Sequence, residues 1–479
     1  MLSYYTVVLL YLAGNAARRM RGINGSEFGA RADERVRAEI ARIGWRGVLT
    51  ISVIVLVVLF SAELRLIHEA ARQNTSVPAW YRELAFAPLS WSSPVTENGA
   101  DVTSLLLTGI TVSQAPMMYL VYAALRVADN MRLGVAIVVC AGVVMYGIAL
   151  STTALVSSDI YAYAAYAKLG AQAYAPGDAH LAANFDVVNA MVRESWGRLD
   201  PAPYGPLWLL ISHALVGPAP SFSAALLGLR LMEVVAMGVL VAGLRGLGFG
   251  AAVLAIVFLN PGLVENFVVD GHNDLAAIAL VVAAMSCAKR NVPIAFVLAL
   301  GAGLIKAQYG VMALLTFAAL PALRARLSLT ALLAVAIAAV SIIGGGRAYA
   351  GALVYHAGHH GMHSAGITSI AHALAALIAL GATGLAVARR RWLEGVEWTL
   401  PALTVATYSW YAVGALAYVA GRRAGLAAVL VILPLIMWNM DYYFNHTLMQ
   451  RAIVVLVVVL VLARLAPARR TLRASPTGP

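Results

Sequence analysis

One carboxylate followed by three tyrosines stands out in SSDIYAYAAYAKLG, residues 157 to 170. In a helix over 159 to 168, the spacing of Asp159, Tyr163 and Tyr166 predicts one shared face, with a carboxylate beside an aromatic wall. Such a carboxylate can take the proton of an attacking hydroxyl, and aromatic rings suit a sugar platform. Tyr161 adds a third ring nearby. The alternative is that Asp159 only caps the helix and that the tyrosines form an interfacial belt.

A lone lysine provides the second candidate group. Lys306 is one of three lysines in the chain and lies in the middle of a long apolar stretch, with Gln308 two residues later. A buried ammonium is unfavourable unless it meets an anion or water, so we expect Lys306 to bind an anion, with Gln308 as a further donor. Snorkelling to the membrane interface is the alternative. For Arg230 we expect a local pair with Glu233, three residues later.

Two further polar segments follow apolar runs. In GHND, His272, Asn273 and Asp274 are expected to contact a substrate, or else Asn273 or Asp274 caps the next helix. A histidine-rich stretch has spacings that a metal could use, but its glycines disfavour a helix, so a substrate-lining or solvated loop is the competing interpretation. Its members are His356, His359, His360 and His363.

The elements that position these groups are membrane helices. Hydrophobic residues make up 61% of the 479 residues and charged residues 12%, with a mean hydropathy of +0.80, which is typical of a polytopic membrane protein. The net charge of +12 comes mainly from arginines in short clusters between apolar runs. That pattern indicates membrane topology rather than nucleic-acid binding. Cys140 and Cys287 are expected to be buried thiols.

Placing the arginine clusters on the inner side predicts the topology. Apolar segments near 48 to 67, 105 to 126 and 133 to 156 are followed by an outer loop over 157 to 203. Asp159, Asp274, Lys306 and the histidine stretch then all fall on the outer side. The predicted domains are an apolar segment with a basic cytoplasmic stretch (1–47), a single transmembrane domain (48–466) and a basic cytoplasmic tail (467–479). The later predicted spans lie near 222–243, 248–264, 275–288, 292–305, 309–322, 328–343, 367–388, 398–408, 411–420, 424–440 and 450–466, with 204–217 re-entrant or interfacial.

Three motifs in order carry a family resemblance. SSDIYAY, then WGRLDPAPYGPLW at 196 to 208, then LNPGLVENFVVDGHND at 259 to 274 resemble the polyprenyl-phosphate-mannose-dependent α-1,6-mannopyranosyltransferases, a branch of the GT-C glycosyltransferases. The resemblance is sharpest between 157 and 274 and looser over the rest of the chain. It implies an all-α GT-C-like transmembrane helical bundle with juxtamembrane helices and loops on the outer face.

The resemblance also implies the reaction. A hexose, with mannose favoured, would pass from a polyprenyl-phosphate donor to a glycolipid or polysaccharide acceptor on the extracytoplasmic face of the inner membrane, with inversion. Asp159 matches the family's general base, and Tyr204 of the PYGPL motif joins the expected substrate contacts. Lys306 is then expected to contact the leaving phosphate, and the GHND residues are expected to bind sugar hydroxyls or the phosphate. No cofactor is assigned, and a divalent metal stays open as an alternative.

A transporter or flippase for a lipid-linked saccharide is the competing function. Such a protein would place paired charges near the membrane midplane and show an internal repeat. Neither pattern is clear in the sequence, and its polar residues gather on one side. Transfer chemistry is therefore favoured, and nucleic acid is not expected among the partners.

Overall fold

The protein is described by a computed structural model, in which every regular element of the described residues is helical. The chain is thus an all-α polytopic membrane protein, as predicted. The described residues are 25–73, 99–152, 159–177, 179–193, 197–288, 290–307, 309–310, 313–314 and 323–359.

Fourteen α-helices are defined within these ranges, together with a 3₁₀ turn at Gly170–Tyr174 and a π-helical turn at Val264–Val269. The helices are α1 Gly25–Ile43, α2 Trp45–Gln73, α3 Gly99–Val127, α4 Met131–Ser151, α5 Asp159–Leu169, α6 Ala179–Ala183, α7 Asp186–Met191, α8 Pro206–Val216, α9 Phe222–Gly246, α10 Ala251–Phe258, α11 Pro261–Leu263, α12 Asp274–Cys287, α13 Val292–Ile305 and α14 Leu323–His359.

Four helical segments of the described chain are long and apolar enough to cross a membrane. A fifth crossing is possible if Ala251–Phe258 and Pro261–Val269, bent by 45°, form one broken span. Residues such as Val143 and Val235 are exposed on these helices, as expected of surfaces that face lipid. The four segments are Trp45–His68, Met131–Ser151, Phe222–Gly246 and Ser328–His356.

Most predicted spans before residue 306 coincide with helices. The segments near 275 to 288 and 292 to 305 form the short helices α12 and α13, and the expected re-entrant segment forms the short helix α8. The segment near 328 to 343 belongs to a longer helix, α14, which continues to His359 through a break at Gly346. The predicted spans after residue 359 lie outside the described residues, as does most of the span near 309 to 322.

Helix packing gathers the short helices α5 and α13 around α8. Helix α2 packs against α3 and α4, while α12 packs between α9 and α13. Helix α8 contacts α5, α9, α13 and α14 at once. Helix α5 itself contacts α8 and the long helix α9, and it lies near the end of α4 that is opposite to Arg132.

Candidate functional site

The expected helix over 159 to 168 is present as α5, and Asp159 is its first residue. Negative charge is favourable in the first turn of a helix. The Asp159 side chain keeps 42% of its accessible surface, whereas Tyr163 and Tyr166 are buried. A carboxylate at the rim thus lies above an aromatic interior, as the spacing predicts.

Tyr163 and Tyr166 form the wall beneath the carboxylate together with a third tyrosine. The ring of Tyr204 lies 5.1 Å from that of Tyr163 and 5.9 Å from that of Tyr166, between centroids. Trp208 is a fourth ring, 6.2 Å from Tyr163. Burial raises the pKa of Tyr163 well above its ordinary value, so its hydroxyl stays protonated near neutral pH.

Tyr161 is the member of the tyrosine series that packs elsewhere. Its ring stacks on Phe222 with centroids 4.8 Å apart and planes inclined by 7°. Only 1% of the residue is exposed. The structure therefore brings Tyr163, Tyr166 and Tyr204 together near Asp159 and uses Tyr161 to anchor α5 on α9.

A buried histidine lies directly beside Asp159. The Nε2 atom of His272 is 3.6 Å from Oδ2 of Asp159, and its Nδ1 lies 2.6 Å from the carbonyl oxygen of Asn266. Because a carbonyl only accepts, Nδ1 carries a proton, and Nε2 faces the carboxylate. Burial alone lowers the pKa of His272, but the nearby carboxylates of Asp159 and Asp270 and the Asn266 carbonyl outweigh it, so the pKa is raised.

The conformation of the backbone before His272 determines how its ring is oriented toward α5. Residues Val264–Val269 form a π-helical turn, a feature that is frequent at functional sites. Gly271 follows with a φ of +64°, a conformation that residues with a side chain rarely adopt. A Cβ at Gly271 would lie 3.1 Å from Cδ1 of Ile160, so this turn packs tightly against α5.

Lys306 finds its anion within the protein. Its Nζ donates to both carboxylate oxygens of Asp274, at 2.9 and 3.0 Å, and the hydroxyl of Tyr309 donates to the same carboxylate at 2.7 Å. Asp274 is fully buried and Lys306 is 8% exposed, so the ammonium does not snorkel to the surface. Its Nζ also lies 5.6 Å from the centre of the Tyr204 ring, which connects the pair to the aromatic wall.

The alternative role of Asn273 as a helix cap is not seen. Asn273 occupies the N-cap position of α12, but its side chain makes no capping hydrogen bond. Both of its amide atoms are buried, and no residue in the described part of the chain forms a hydrogen bond with them. Gln308 lies outside the described residues.

A close backbone contact joins the loop before α8 to the end of α13. The amide of Gly205 donates to the carbonyl oxygen of Ile305 at 2.8 Å. A Cβ at Gly205 would lie only 2.0 Å from the carbonyl oxygen of Leu304, so glycine is required for this approach. The contact fixes Tyr204 beside Lys306, and it gives the glycine of the PYGPL motif a physical purpose.

Arg230 does not make its expected local pair but supports two backbone ends. Its guanidinium donates to the carbonyl oxygen of Val269 at 2.9 Å, and to those of Thr152 and Leu150 at the end of α4. The carbonyl groups at the end of a helix lack partners within it, so an arginine stabilises them. Arg230 thereby holds the end of α4 next to the π-helical turn.

A second polar cluster lies around Asp200, next to Tyr166, and the spacing of the sequence does not indicate that Asp200 meets Tyr355 there. The Tyr166 hydroxyl donates to the carbonyl oxygen of Asp200 at 2.9 Å. The Asp200 carboxylate accepts from the Tyr355 hydroxyl at 2.6 Å and from Nε of Arg198 at 3.2 Å. His356, from the histidine-rich stretch, lies on α14 with its Nε2 2.6 Å from the carbonyl oxygen of Pro201. The side chains of the other three histidines lie outside the described part.

The arrangement as a whole combines a carboxylate, a proton-bearing imidazole and an aromatic wall. Asp159 is accessible to a hydroxyl, His272 contributes the proton-bearing ring behind it, and the buried pair of Lys306 and Asp274 borders the wall at Tyr204. Within the described ranges, no three His, Cys, Asp or Glu side chains are grouped so as to hold a metal ion. Proton transfer to a carboxylate is the chemistry that these groups directly support.

A comparison with protein families matches the chain over residues 87–326 to the model of the α-(1→6)-mannopyranosyltransferase N-terminal domain. The match includes Asp159, His272, Asp274 and Lys306. No curated protein and no solved structure shows a significant match.

Proposed function

The chain belongs to the α-(1→6)-mannopyranosyltransferase family, a family of membrane glycosyltransferases, and we propose that it moves mannose from a polyprenyl-phosphate donor to an acceptor hydroxyl on the extracytoplasmic side. The observation that carries this proposal is the half-exposed carboxylate of Asp159, backed by His272 and bordered by Tyr163 and Tyr166. A carboxylate, a proton-bearing imidazole and an aromatic surface meet there.

In the proposed step, the acceptor hydroxyl oxygen attacks the anomeric carbon of the donor sugar while Asp159 takes the hydroxyl proton. The bond between the anomeric carbon and the phosphate oxygen breaks, and polyprenyl phosphate leaves with that electron pair. Attack from the face opposite the phosphate inverts the anomeric centre. Since phosphate is already a good leaving group, the step needs no general acid, and one carboxylate serves.

His272 is proposed as a positioning residue for this base. Its Nδ1 proton is held by the Asn266 carbonyl, so the ring presents Nε2 to Asp159. When protonated, the ring attracts the carboxylate and limits its movement. In the proposed step, His272 does not contact the reacting atoms.

The role of Lys306 follows from its partner. Direct contact with the leaving phosphate would take it away from Asp274, which would then be a buried, uncompensated charge. We therefore propose that Lys306 positions Tyr204 and Asp274, which border the sugar, rather than binding the phosphate itself. Gln308 is also proposed as a hydrogen-bond donor to the substrate.

The proposed sidedness is supported by the distribution of arginines. Arg126 and Arg132 are exposed at the end of α3 and α4 that is remote from Asp159. Positive residues prefer the cytoplasmic side, which supports an extracytoplasmic position for Asp159 in the inner membrane.

The test is mannose transfer from polyprenyl-phosphate mannose in membranes that contain wild type or Asp159→Asn at equal abundance. We expect the variant to lose a factor of about 10² to 10⁴ in rate while it keeps donor binding, because the amide cannot take the proton. Asp186→Asn is the matched control, since Asp186 is also the first residue of a short helix in the same loop and is exposed. It should keep full activity.

Full activity of Asp159→Asn would reduce Asp159 to a helix-capping residue. Absence of transfer by the wild type would contradict the donor assignment. Movement of a lipid-linked saccharide across the bilayer that survives Asp159→Asn would instead favour the transporter.

A further inference from the structure

Arg230 is a charged residue inside the apolar span Phe222–Gly246, and only 2% of it is exposed. Its Nε donates to the carbonyl oxygen of Val269 at 2.9 Å, and its Nη1 donates to the carbonyl oxygens of Thr152 and Leu150. A buried charge is unfavourable, and ionisable residues within membrane spans commonly mark a functional site. The places at which its acceptors lie indicate what the arginine does.

The acceptor at Val269 leads directly to His272. Val269 is the last residue of the π-helical turn and lies three residues before the histidine. Between the two, Gly271 packs so closely on α5 that an added Cβ would lie 3.1 Å from Cδ1 of Ile160. Arg230 therefore fixes the backbone from which the His272 ring projects toward α5.

The helix that carries Arg230 also supports the helix that carries Asp159. Tyr161, two residues after Asp159, stacks on Phe222 at the start of α9. Phe222 and Arg230 are eight residues apart, which is about 12 Å along a helix at 1.5 Å per residue. The carboxylate and the histidine are thus both attached to α9. The 3.6 Å between Nε2 of His272 and Oδ2 of Asp159 depends on how α9 holds the two segments.

A guanidinium is suited to this task because its donors point in fixed directions within one plane. Bonds from Nε and Nη1 hold the carbonyls of Val269 and Thr152 in a set relation to each other. A lysine brings one charge on a flexible stem and lacks this fork. Arg230→Lys therefore keeps the positive charge and removes the geometry.

We propose that Arg230 is a positioning residue of the transfer reaction, which keeps the His272 ring against the Asp159 carboxylate. It acts through the backbone at Val269 and touches neither substrate nor the reacting atoms. This inference rests on the proposed function, because it takes Asp159 as the base.

The first test is the transfer rate of Arg230→Lys at the same abundance as the wild type. Its kcat should fall about 10-fold to 100-fold, the effect expected when catalytic groups are misplaced by a fraction of a bond length up to about 1 Å. The KM for donor and acceptor should stay unchanged, because the arginine contacts neither. Arg245→Lys is the matched control, since Arg245 lies in the last turn of the same helix and is exposed. It should keep the wild-type kcat.

A double-variant cycle separates positioning from a general structural role. If Arg230 acts through His272, Arg230→Lys should change kcat by less than about twofold in a His272→Gln background. An arginine that only stabilises the fold would lower kcat by the same factor in both backgrounds. If Arg230→Lys does not fold, Arg230→Gln, which removes the buried charge, allows the same comparison.

A titration of His272 tests the proposal without turnover. The charged and titratable groups that face its ring are Asp159 of α5, Asp270 of its own turn and Tyr163. Burial lowers the pKa of His272, and the Asp159 carboxylate makes the largest contribution that raises it. Arg230→Lys should therefore lower the titration midpoint of His272, because the carboxylate is held less closely while the charge at position 230 is kept.

NMR of the full chain with isotope-labelled histidine, in micelles and without substrate, measures this midpoint. The His272 signal is the one that is missing from the spectrum of His272→Gln. Because neither donor nor transfer is needed, the titration tests Arg230 even if the proposed transfer fails. The proposal is overturned if Arg230→Lys keeps the wild-type midpoint, or if its loss of kcat is the same with and without His272.

Discussion

The buried pair of Lys306 and Asp274 allows a sharp test of the interior of the site. Both carboxylate oxygens of Asp274 accept from Nζ, and neither residue exceeds 8% exposure. Lys306→Met leaves the Asp274 carboxylate without a counter-charge, and Asp274→Asn leaves the Lys306 ammonium without a counter-charge. Removal of one partner from a buried pair destabilises a protein by about 3 to 5 kcal/mol.

The double variant should differ from both single variants. With Lys306→Met and Asp274→Asn together, no uncompensated charge is left, and the Tyr309 hydroxyl still finds an amide oxygen as acceptor. We expect the double variant to be no less stable than either single variant, so that the two effects are strongly non-additive. Unfolding in mixed detergent micelles, with protein concentration and lipid held constant, measures the four free energies of the cycle.

Two results would refute this account of the pair. If the free energy of unfolding of each single variant falls by no more than about 1 kcal/mol, the pair behaves as an exposed ion pair, and the pair is then not buried in the membrane. If the two losses simply add, Lys306 and Asp274 do not interact. An exposed ion pair in the same chain provides the control. Arg42→Ala removes the salt bridge to Glu39 on α1 and should change the free energy of unfolding little.

Two more predictions concern the turn and the loop. Folding raises the pKa of His272 above its ordinary value of about 6.5. Protonated His272 therefore stabilises the folded protein fully at a pH below the ordinary value, and this stabilisation is lost as the pH rises through the raised pKa. The transfer rate of the wild type should fall as the pH rises through the raised pKa of His272. The transfer rate of His272→Gln should show no such fall at alkaline pH, and a pH–rate profile identical to that of the wild type would contradict the role of the histidine. Gly205→Ala should break the backbone bond to Ile305 and sharply reduce the yield of folded protein, because its Cβ would meet the carbonyl oxygen of Leu304 at 2.0 Å. Gly147→Ala, in a helix where an added Cβ meets nothing within 4 Å, should be neutral or slightly stabilising, and equal yields of the two variants would refute the steric argument.

The helical fold and the face of α5 could be predicted because they depend on local spacing. Apolar runs identify membrane helices, and the intervals between Asp159, Tyr163 and Tyr166 place them on one face of a helix. The glycines of the histidine-rich stretch disfavoured a helix, yet α14 continues through Gly358 to His359. Tertiary contacts such as that of His356 with Pro201 support the end of this helix despite its composition.

The contacts that complete the site could not be predicted, because they join distant parts of the chain. Nothing in the spacing indicates that His272 meets Asp159, or that the anion expected for Lys306 is Asp274. The contact of His272 follows the π-helical turn before Asp270, which has no clear sequence pattern. The placement of Tyr204 beside Lys306 follows the close approach of Gly205 to Leu304, a partner that the PYGPL motif does not reveal. The Asp200 cluster had one usable signal, its position beside the PYGPL motif, but its partner Tyr355 is 155 residues away.

The bond from Gly205 to Ile305 has a further consequence for how substrate binding is divided between enthalpy and entropy. It joins the segment with the aromatic wall to the segment with Lys306, so the relative placement of the two is settled when the protein folds. The conformational entropy of ordering them is therefore lost once, during folding, and is not subtracted from the affinity at every turnover. Substrate association at this part of the site should accordingly show a small heat-capacity change, limited to the apolar surface that the substrate itself covers.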